Sequence, residues 1–93
     1  MRGVGLEQYR IVYSAKAKQH AKLIKNSLYY EKVMRLLDMI SKDPYQSPPP
    51  FEKLQGELSG TISRRINAQH RLVYQVYEKE KTIKIVSAWT HYE

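Results

Sequence analysis

Residues 61–78 read TISRRINAQHRLVYQVYE and predict two antiparallel strands joined by a tight turn. Their side chains alternate with the period of two that is typical of a strand with one buried face. The first strand is predicted over Thr61–Asn67 and the second over His70–Glu78, with Ala68-Gln69 as the turn. A third strand, Thr82–Tyr92, follows another short link, so this half of the chain predicts an antiparallel meander.

The same alternation predicts which arginines share a face of the sheet. The isoleucines of the first strand are expected to face the core, which places Arg64 on the core side and Arg65 on the open side. In the second strand, a core position for Leu72 places Arg71 on the open side, beside Arg65. Arg64 is therefore expected near an end of the sheet, where its guanidinium reaches water.

The first half of the chain predicts one strand followed by two helices. Tyr9–Tyr13 is β-branched and aromatic, which is typical of a strand. Ser14 then offers an N-cap to a helix with apolar residues at helical spacing and lysines around its other side. A second helix is predicted from about Tyr29 to Ser41, before Asp43-Pro44. The resulting fold class is α+β, with both helices packed on one face of an antiparallel sheet.

Chain length predicts a single domain over residues 1–93, because so short a chain supports one modest core. Residues 1–8 are interpreted as a leader. Residues 44–60 are interpreted as a connector, because they hold all four prolines and two of the four glycines. The tri-proline run within it is either a polyproline ligand or, more commonly, a stiffener of the loop.

Composition limits the classes of function. The net charge of +7, from 16 Lys and Arg against nine Asp and Glu, favours a nucleic acid, an acidic protein or an anionic membrane surface as partner. A soluble protein with a basic pI fits the charge equally well. The absence of cysteine excludes disulfide scaffolds, thiolate zinc sites and cysteine nucleophiles, and suits a reducing cytoplasm. No apolar run approaches the ~20 residues of a membrane-spanning helix, and residues 1–8 do not resemble a signal peptide.

Arg65 and Arg71 form a candidate phosphate clamp, because each guanidinium offers a planar fork of donors. The pattern alone fits a solvated face, or pairing with Glu78 or Glu80, better than a clamp. The aromatic-rich end of the chain, residues 89–93, is unusual for a terminus and indicates docking, either within the fold or onto a base.

Side-chain chemistry nominates further residues. Cleavage of RNA by its own 2′-hydroxyl needs a base, cations for the phosphorane and an acid for the leaving oxygen. Glu52, the two open-face arginines and His91 have the right chemical types, although their spacing does not bring them together. His20 and His70 are interpreted as structural. No spacing of histidines or carboxylates is typical of a metal site.

An ordered set of short motifs carries a family resemblance over about the last forty residues. The ordered set resembles the Txe/YoeB family of the RelE/ParE toxin superfamily, although any one of the motifs alone is weak evidence for the family. The first half of the chain resembles that family in its strand–helix–helix pattern. The motifs are Glu52-x-Leu54, Leu58-Ser59-Gly60, Ser63-Arg64-Arg65-Ile66, His70-Arg71-Leu72-Val73-Tyr74 and His91-Tyr92.

The resemblance implies a RelE-like fold and a cytoplasmic type II toxin that cuts mRNA on the 70S ribosome with neither cofactor nor metal. It also implies a neutralising antitoxin of the YefM/Axe type and, in many members, a toxin homodimer. By likeness, Glu52 is the general base, His91 the general acid, and Arg71 with Arg65 holds the scissile phosphate. Tyr92 corresponds to an aromatic residue that positions the nucleotide.

The chain departs from the family pattern at a few positions. Gln55 follows Leu54 where members commonly carry a basic residue, so Lys53 is the candidate to supply that charge to the substrate from another direction. Glu93 follows the His-Tyr pair that usually ends the chain and adds a carboxylate beside His91. The leader is also longer than usual.

Three other functions remain open at this stage. A ParE-like gyrase poison shares the fold but needs no general acid or base, so Glu52, His91 and Tyr92 argue against it. A catalytically inactive homologue would bind RNA or an antitoxin without cutting. An unrelated basic RNA-binding domain is the third, although the strands lack its aromatic signature.

Overall fold

A computed structural model describes residues 8–55 and 60–90. The strands of this part of the chain form a single mixed sheet, and both helices pack on one face of it. The strand order is β1-β5-β4-β3-β2, with β1 parallel to β5 and every other neighbouring pair antiparallel. The elements are β1 Arg10–Tyr13, α1 Ala15–Lys25, α2 Tyr30–Lys42, β2 Glu52–Lys53, β3 Thr61–Arg65, β4 Arg71–Tyr77 and β5 Thr82–Thr90.

The predicted α+β class, the strand–helix–helix order and the antiparallel meander are confirmed. One part of the interpretation is wrong, because the segment 44–60 is more than a connector. Glu52 and Lys53 form β2, which pairs with β3 and places Glu52 opposite Ser63 and Lys53 opposite Ile62. A strand of two residues has too few positions to show a period in the sequence.

The core lies between the helices and the sheet face that they cover. Ser14 fixes the start of α1, as predicted, because its Oγ accepts a hydrogen bond from the Ala17 N–H at 3.0 Å. The same hydroxyl donates to the Val86 carbonyl at 2.8 Å, which ties α1 to β5. The core residues are Ala17, Ile24, Val33, Leu36, Leu37, Ile40, Ile62, Ile66, Leu72, Tyr74, Ile83, Ile85 and Ala88.

Glu78, at the turn after β4, binds the segment before β1 and the segment after α2. The hydroxyls of Tyr9 and Tyr45 donate to its carboxylate at 2.7 and 2.6 Å. These donors lower the pKa of Glu78. Burial and the hydrogen bond to Glu78 raise the pKa of Tyr45 to about 12. Glu78 therefore pairs with tyrosines and not with the open-face arginines. No helix in the described ranges is long and apolar enough to cross a membrane.

Candidate active site

Glu52, Arg65 and Arg71 lie together on the open face of the sheet. The pairing of β2 with β3 and of β3 with β4 causes this, since it places Glu52 opposite Ser63 and Arg65 opposite Arg71. Residues directly opposite on antiparallel strands share a face. One open pocket is lined by all three side chains together with Pro50, Phe51 and Ser63. The alternation predicted the arginine pair, and β2 adds the glutamate.

An ion pair already connects the candidate base to the candidate phosphate ligand. Arg71 Nη1 lies 3.7 Å from Glu52 Oε1, and the two side chains are 26% and 70% exposed. A pair so long and so open to solvent contributes little to stability. A phosphate oxygen is a stronger partner for a guanidinium than this exchangeable contact. Arg71 is therefore positioned to exchange the carboxylate for an incoming phosphate.

Arg64 is buried on the core side of β3, so the prediction that its guanidinium reaches water is wrong. The residue is 1% exposed. The alternation placed it on the correct face, but the segment after α2 covers this end of the sheet. Nε of Arg64 donates to the Tyr74 hydroxyl at 2.8 Å. That hydroxyl in turn donates to the Pro44 carbonyl at 2.7 Å.

The proline-rich segment supplies the remaining acceptors of Arg64. Proline suits this role because it keeps its carbonyl acceptor while lacking an N–H. The guanidinium carbon also lies 4.8 Å from the centre of the Phe51 ring. Arg64 thus fixes the path of the chain that enters β2 and thereby positions Glu52. The acceptors of its terminal nitrogens are the carbonyls of Pro44 at 3.2 Å, Gln46 at 2.7 Å and Pro49 at 2.7 Å.

Lys53 is not brought together with Glu52. Successive strand residues point to opposite faces, and Lys53 lies opposite the core residue Ile62. It lines a separate pocket beside Tyr45 and Val76. The charge that Lys53 was expected to supply therefore lies on the other side of β2 from the arginines.

His91 and Tyr92, the predicted acid and stacking residue, lie outside the described residues, as does Glu93. The described part of β5 ends at Thr90, which is the register partner of Arg71. The described chain therefore ends on the strand next to one of the site arginines, immediately before His91.

Both internal histidines have structural contacts, as predicted. Nδ1 of His20 accepts hydrogen bonds from the backbone N–H groups of Ala88 and Trp89, at 3.1 and 3.2 Å, where the register of β5 shifts. Burial lowers the pKa of His20, and the charges of Lys16 and His70 lower it further. His70 stacks on Trp89 with ring centres 3.8 Å apart. Within the described ranges, no three His, Cys, Asp or Glu side chains are grouped as metal ligands.

Ser63 is a pocket residue that side-chain chemistry did not nominate. It is 1% exposed, and its Oγ has no hydrogen-bond partner among the residues that the structure describes. The period of two places it on the open face with Arg65, and that was the signal available in the sequence. Its direct pairing with Glu52 depended on β2, which the sequence did not show.

Comparison with known proteins decides the family. Residues 20–92 match the sequence model of the YoeB-like toxins of bacterial type II toxin–antitoxin systems. The chain belongs to this family. Among curated relatives of this YoeB-like chain, Toxin YoeB of Mycobacterium bovis and Toxin RelK of Mycobacterium tuberculosis are each 44% identical over 61 residues. Those residues cover 66% of this chain and 69% of each relative.

Solved structures of YoeB toxins share the fold. The YoeB/ParE toxin from Agrobacterium tumefaciens has a TM-score of 0.82 at 25% identity, covering 89% of this chain and 99% of that one. The YoeB dimer from Staphylococcus aureus has a TM-score of 0.78 at 34% identity, covering 91% and 99%. The toxin in the YoeB-YefM complex of the same organism has a TM-score of 0.77 at 34% identity, with the same coverage. The resemblance based on the sequence motifs is confirmed.

Proposed function

We propose that this toxin is an endoribonuclease that cuts mRNA on the ribosome by attack of the neighbouring 2′-hydroxyl, without a metal ion. The observation that carries the proposal is the contact of Glu52 with Arg71 in a pocket shared with Arg65. A carboxylate beside two guanidinium groups combines a proton acceptor with a site for a phosphate. Transesterification of RNA requires that combination.

In the proposed reaction, Glu52 accepts the proton of the 2′-hydroxyl as that oxygen bonds to phosphorus. Arg71, supported by Arg65, binds the non-bridging oxygens and stabilises the charge that builds on the phosphorane. The bond to the 5′-oxygen breaks, and His91 gives that oxygen a proton. The products are a 2′,3′-cyclic phosphate and a 5′-hydroxyl. The roles of His91, and of Tyr92 in stacking on a base, come from family likeness, and Lys53 takes no part in this step.

The partners follow from charge and from the family. A net charge of +7 favours association with the polyanionic ribosome and message. The toxin of Staphylococcus aureus has been solved as a YoeB-YefM complex and as a YoeB dimer. We propose that this chain likewise binds a YefM/Axe-type antitoxin, forms a homodimer and acts in the cytoplasm.

Primer extension on a translated message tests the activity. The wild-type toxin is expected to produce discrete cuts that depend on ribosomes. Glu52→Gln keeps the shape of the side chain but removes the base, so its single-turnover rate is expected to fall by about 10²–10⁴-fold. Glu80→Gln, at an exposed turn carboxylate, is the matched control and should cut at the wild-type rate. A soluble, folded wild-type protein that leaves translated messages intact would contradict the proposal.

A ParE-like gyrase poison is the second candidate, because the Agrobacterium tumefaciens neighbour is described as a YoeB/ParE toxin. That action needs no general base. Glu52→Gln would then arrest growth as strongly as the wild-type toxin, and plasmid supercoiling would change on expression. If the toxin is a ribonuclease, Glu52→Gln should arrest growth less than the wild type, and plasmid supercoiling should not change on expression.

A further inference from the structure

Ser63 is a buried residue of the candidate active site. Its Oγ is buried with no hydrogen-bond partner among the described residues, and Ser63 is one of the residues that line the pocket of Glu52, Arg65 and Arg71. Burying a hydroxyl without a partner destabilises a fold. Within residues 8–55 and 60–90, no hydrogen bond accounts for a hydroxyl at this position.

The register places Ser63 directly opposite Glu52. Ser63 is the direct partner of Glu52 across β2 and β3, and such pairs have Cβ atoms about 4.5–5.5 Å apart on one face. In the free toxin the Glu52 carboxylate instead faces Arg71, with 3.7 Å between Oε1 and Nη1. A phosphate that engages Arg71 takes this partner from the carboxylate, whose neighbour across the strands is Ser63.

We infer that Ser63 is a positioning residue for Glu52, an inference that rests on the proposed ribonuclease function. When RNA engages Arg71, the Ser63 O–H donates to one carboxylate oxygen of Glu52. That bond leaves the other oxygen free to face the 2′-hydroxyl. It also stabilises the charged, proton-accepting form of the carboxylate. The hydroxyl, which has no partner within the described part of the chain, thus gains one in the complex with RNA.

Single-turnover cleavage by Ser63→Ala tests the inference. Loss of a hydrogen bond to a charged acceptor is expected to slow cutting by about 10–100-fold. Binding of the programmed ribosome should be unchanged. The acid side of the pH–rate profile should move to higher pH, because the charged carboxylate has lost a donor. The Tm of Ser63→Ala should equal or exceed that of the wild type, since the substitution removes a buried hydroxyl that makes no hydrogen bond to any described residue.

Two further variants separate positioning from other effects. Ser63→Thr keeps the hydroxyl and is expected to retain most of the wild-type rate. Ser87→Ala is the matched control, because Ser87 is also a buried sheet serine, 5% exposed, but pairs with Val73. It should cut at the wild-type rate. In a Glu52→Gln background, Ser63→Ala should cause no further loss, since both substitutions act through one carboxylate.

The inference is overturned if Ser63→Ala cuts as fast as the wild type while the wild type cuts normally. It is also overturned if the slower cutting comes with a lower Tm, which marks a structural hydroxyl. A full further loss in the Glu52→Gln background assigns the hydroxyl to the phosphate and likewise overturns it. Failure of the wild type itself to cut is a separate result, which overturns the proposed function.

Discussion

The positively charged guanidinium of Arg64 is buried, and four oxygen atoms accept its hydrogen bonds. Three of these oxygens are backbone carbonyls of the proline-rich segment that precedes Glu52. The period of two predicted which face of the sheet Arg64 lies on, but it did not predict that the side chain is buried. The burial depends on backbone carbonyls of a distant segment, which a pattern of side chains does not reveal. Arg64 is for this reason a structural residue and not a neutral comparison for the site arginines.

Arg64→Lys is expected to lower the free energy of unfolding by about 3 kcal/mol, because lysine has no planar fork and leaves buried carbonyls unpaired. The rate of cleavage should fall as well, because the segment that leads to Glu52 is no longer held in place. Urea unfolding gives the first quantity and single-turnover cleavage the second. The control is Arg35→Lys on α2, whose side chain is 74% exposed. Equal stability of Arg64→Lys and wild type would refute this role.

Arg71→Ala is expected to slow cleavage by about 10²–10³-fold, because it removes charge stabilisation from the phosphorane. Arg65→Ala should also slow cutting. Neither change should disturb folding much, since Arg65 is exposed and Arg71 is held by a weak ion pair. Single-turnover rates with circular dichroism as the folding check measure both effects. Wild-type rates for both variants would show that the open-face pair does not hold the phosphate.

Among the elements, β3 and β4 were predicted well because their side chains alternate over several residues. The helix start at Ser14 was predicted for a local reason, the reach of its Oγ to a nearby N–H. The pairing of β1 with β5 was not predicted, because parallel partners far apart in the chain share no turn that reveals them. β2 was missed since two residues carry no period. The sequence therefore predicted that Arg65 and Arg71 lie together, whereas the place of Glu52 beside them followed from the pairing of β2 with β3.

His20 binds the backbone of β5, and we expect this contact to make the stability of the fold depend on pH. Its Nδ1 accepts two backbone hydrogen bonds, so the fold requires the neutral ring, and the pKa of His20 is lowered by burial and nearby positive charge. As the pH falls, His20 in the unfolded chain therefore binds a proton near pH 6.5, before His20 in the folded chain does. Stability contributed by neutral His20 is present above that pH, is lost as the pH falls toward the lowered value, and changes no further below it.

The measurement is Tm against pH for the wild type and for His20→Gln. The glutamine keeps an acceptor oxygen but does not titrate. The wild-type Tm should therefore fall more steeply than that of the variant between about pH 7 and pH 5. Parallel curves would show that His20 does not control this region of β5.

For the whole molecule, the charge of +7 makes sequestration the natural control of activity. Expression of the toxin alone is expected to arrest growth, and co-expression with an adjacent gene for a small acidic antitoxin should restore it. Colony counts after induction measure the effect, with Glu52→Gln as the toxin that folds but cuts slowly. Harmless expression of soluble wild-type toxin would contradict the assignment of its activity.

In the proposed reaction the RNA supplies its own nucleophile. Ribosomes programmed with a message that carries a single 2′-deoxynucleotide at the cut site remove that nucleophile, and the all-ribose message is the control. The toxin is expected to bind both complexes alike, to cut the ribose message to a 2′,3′-cyclic phosphate, and to leave the deoxy-substituted message intact. If the deoxy-substituted message is cut at the same site, the 2′-hydroxyl is not the nucleophile.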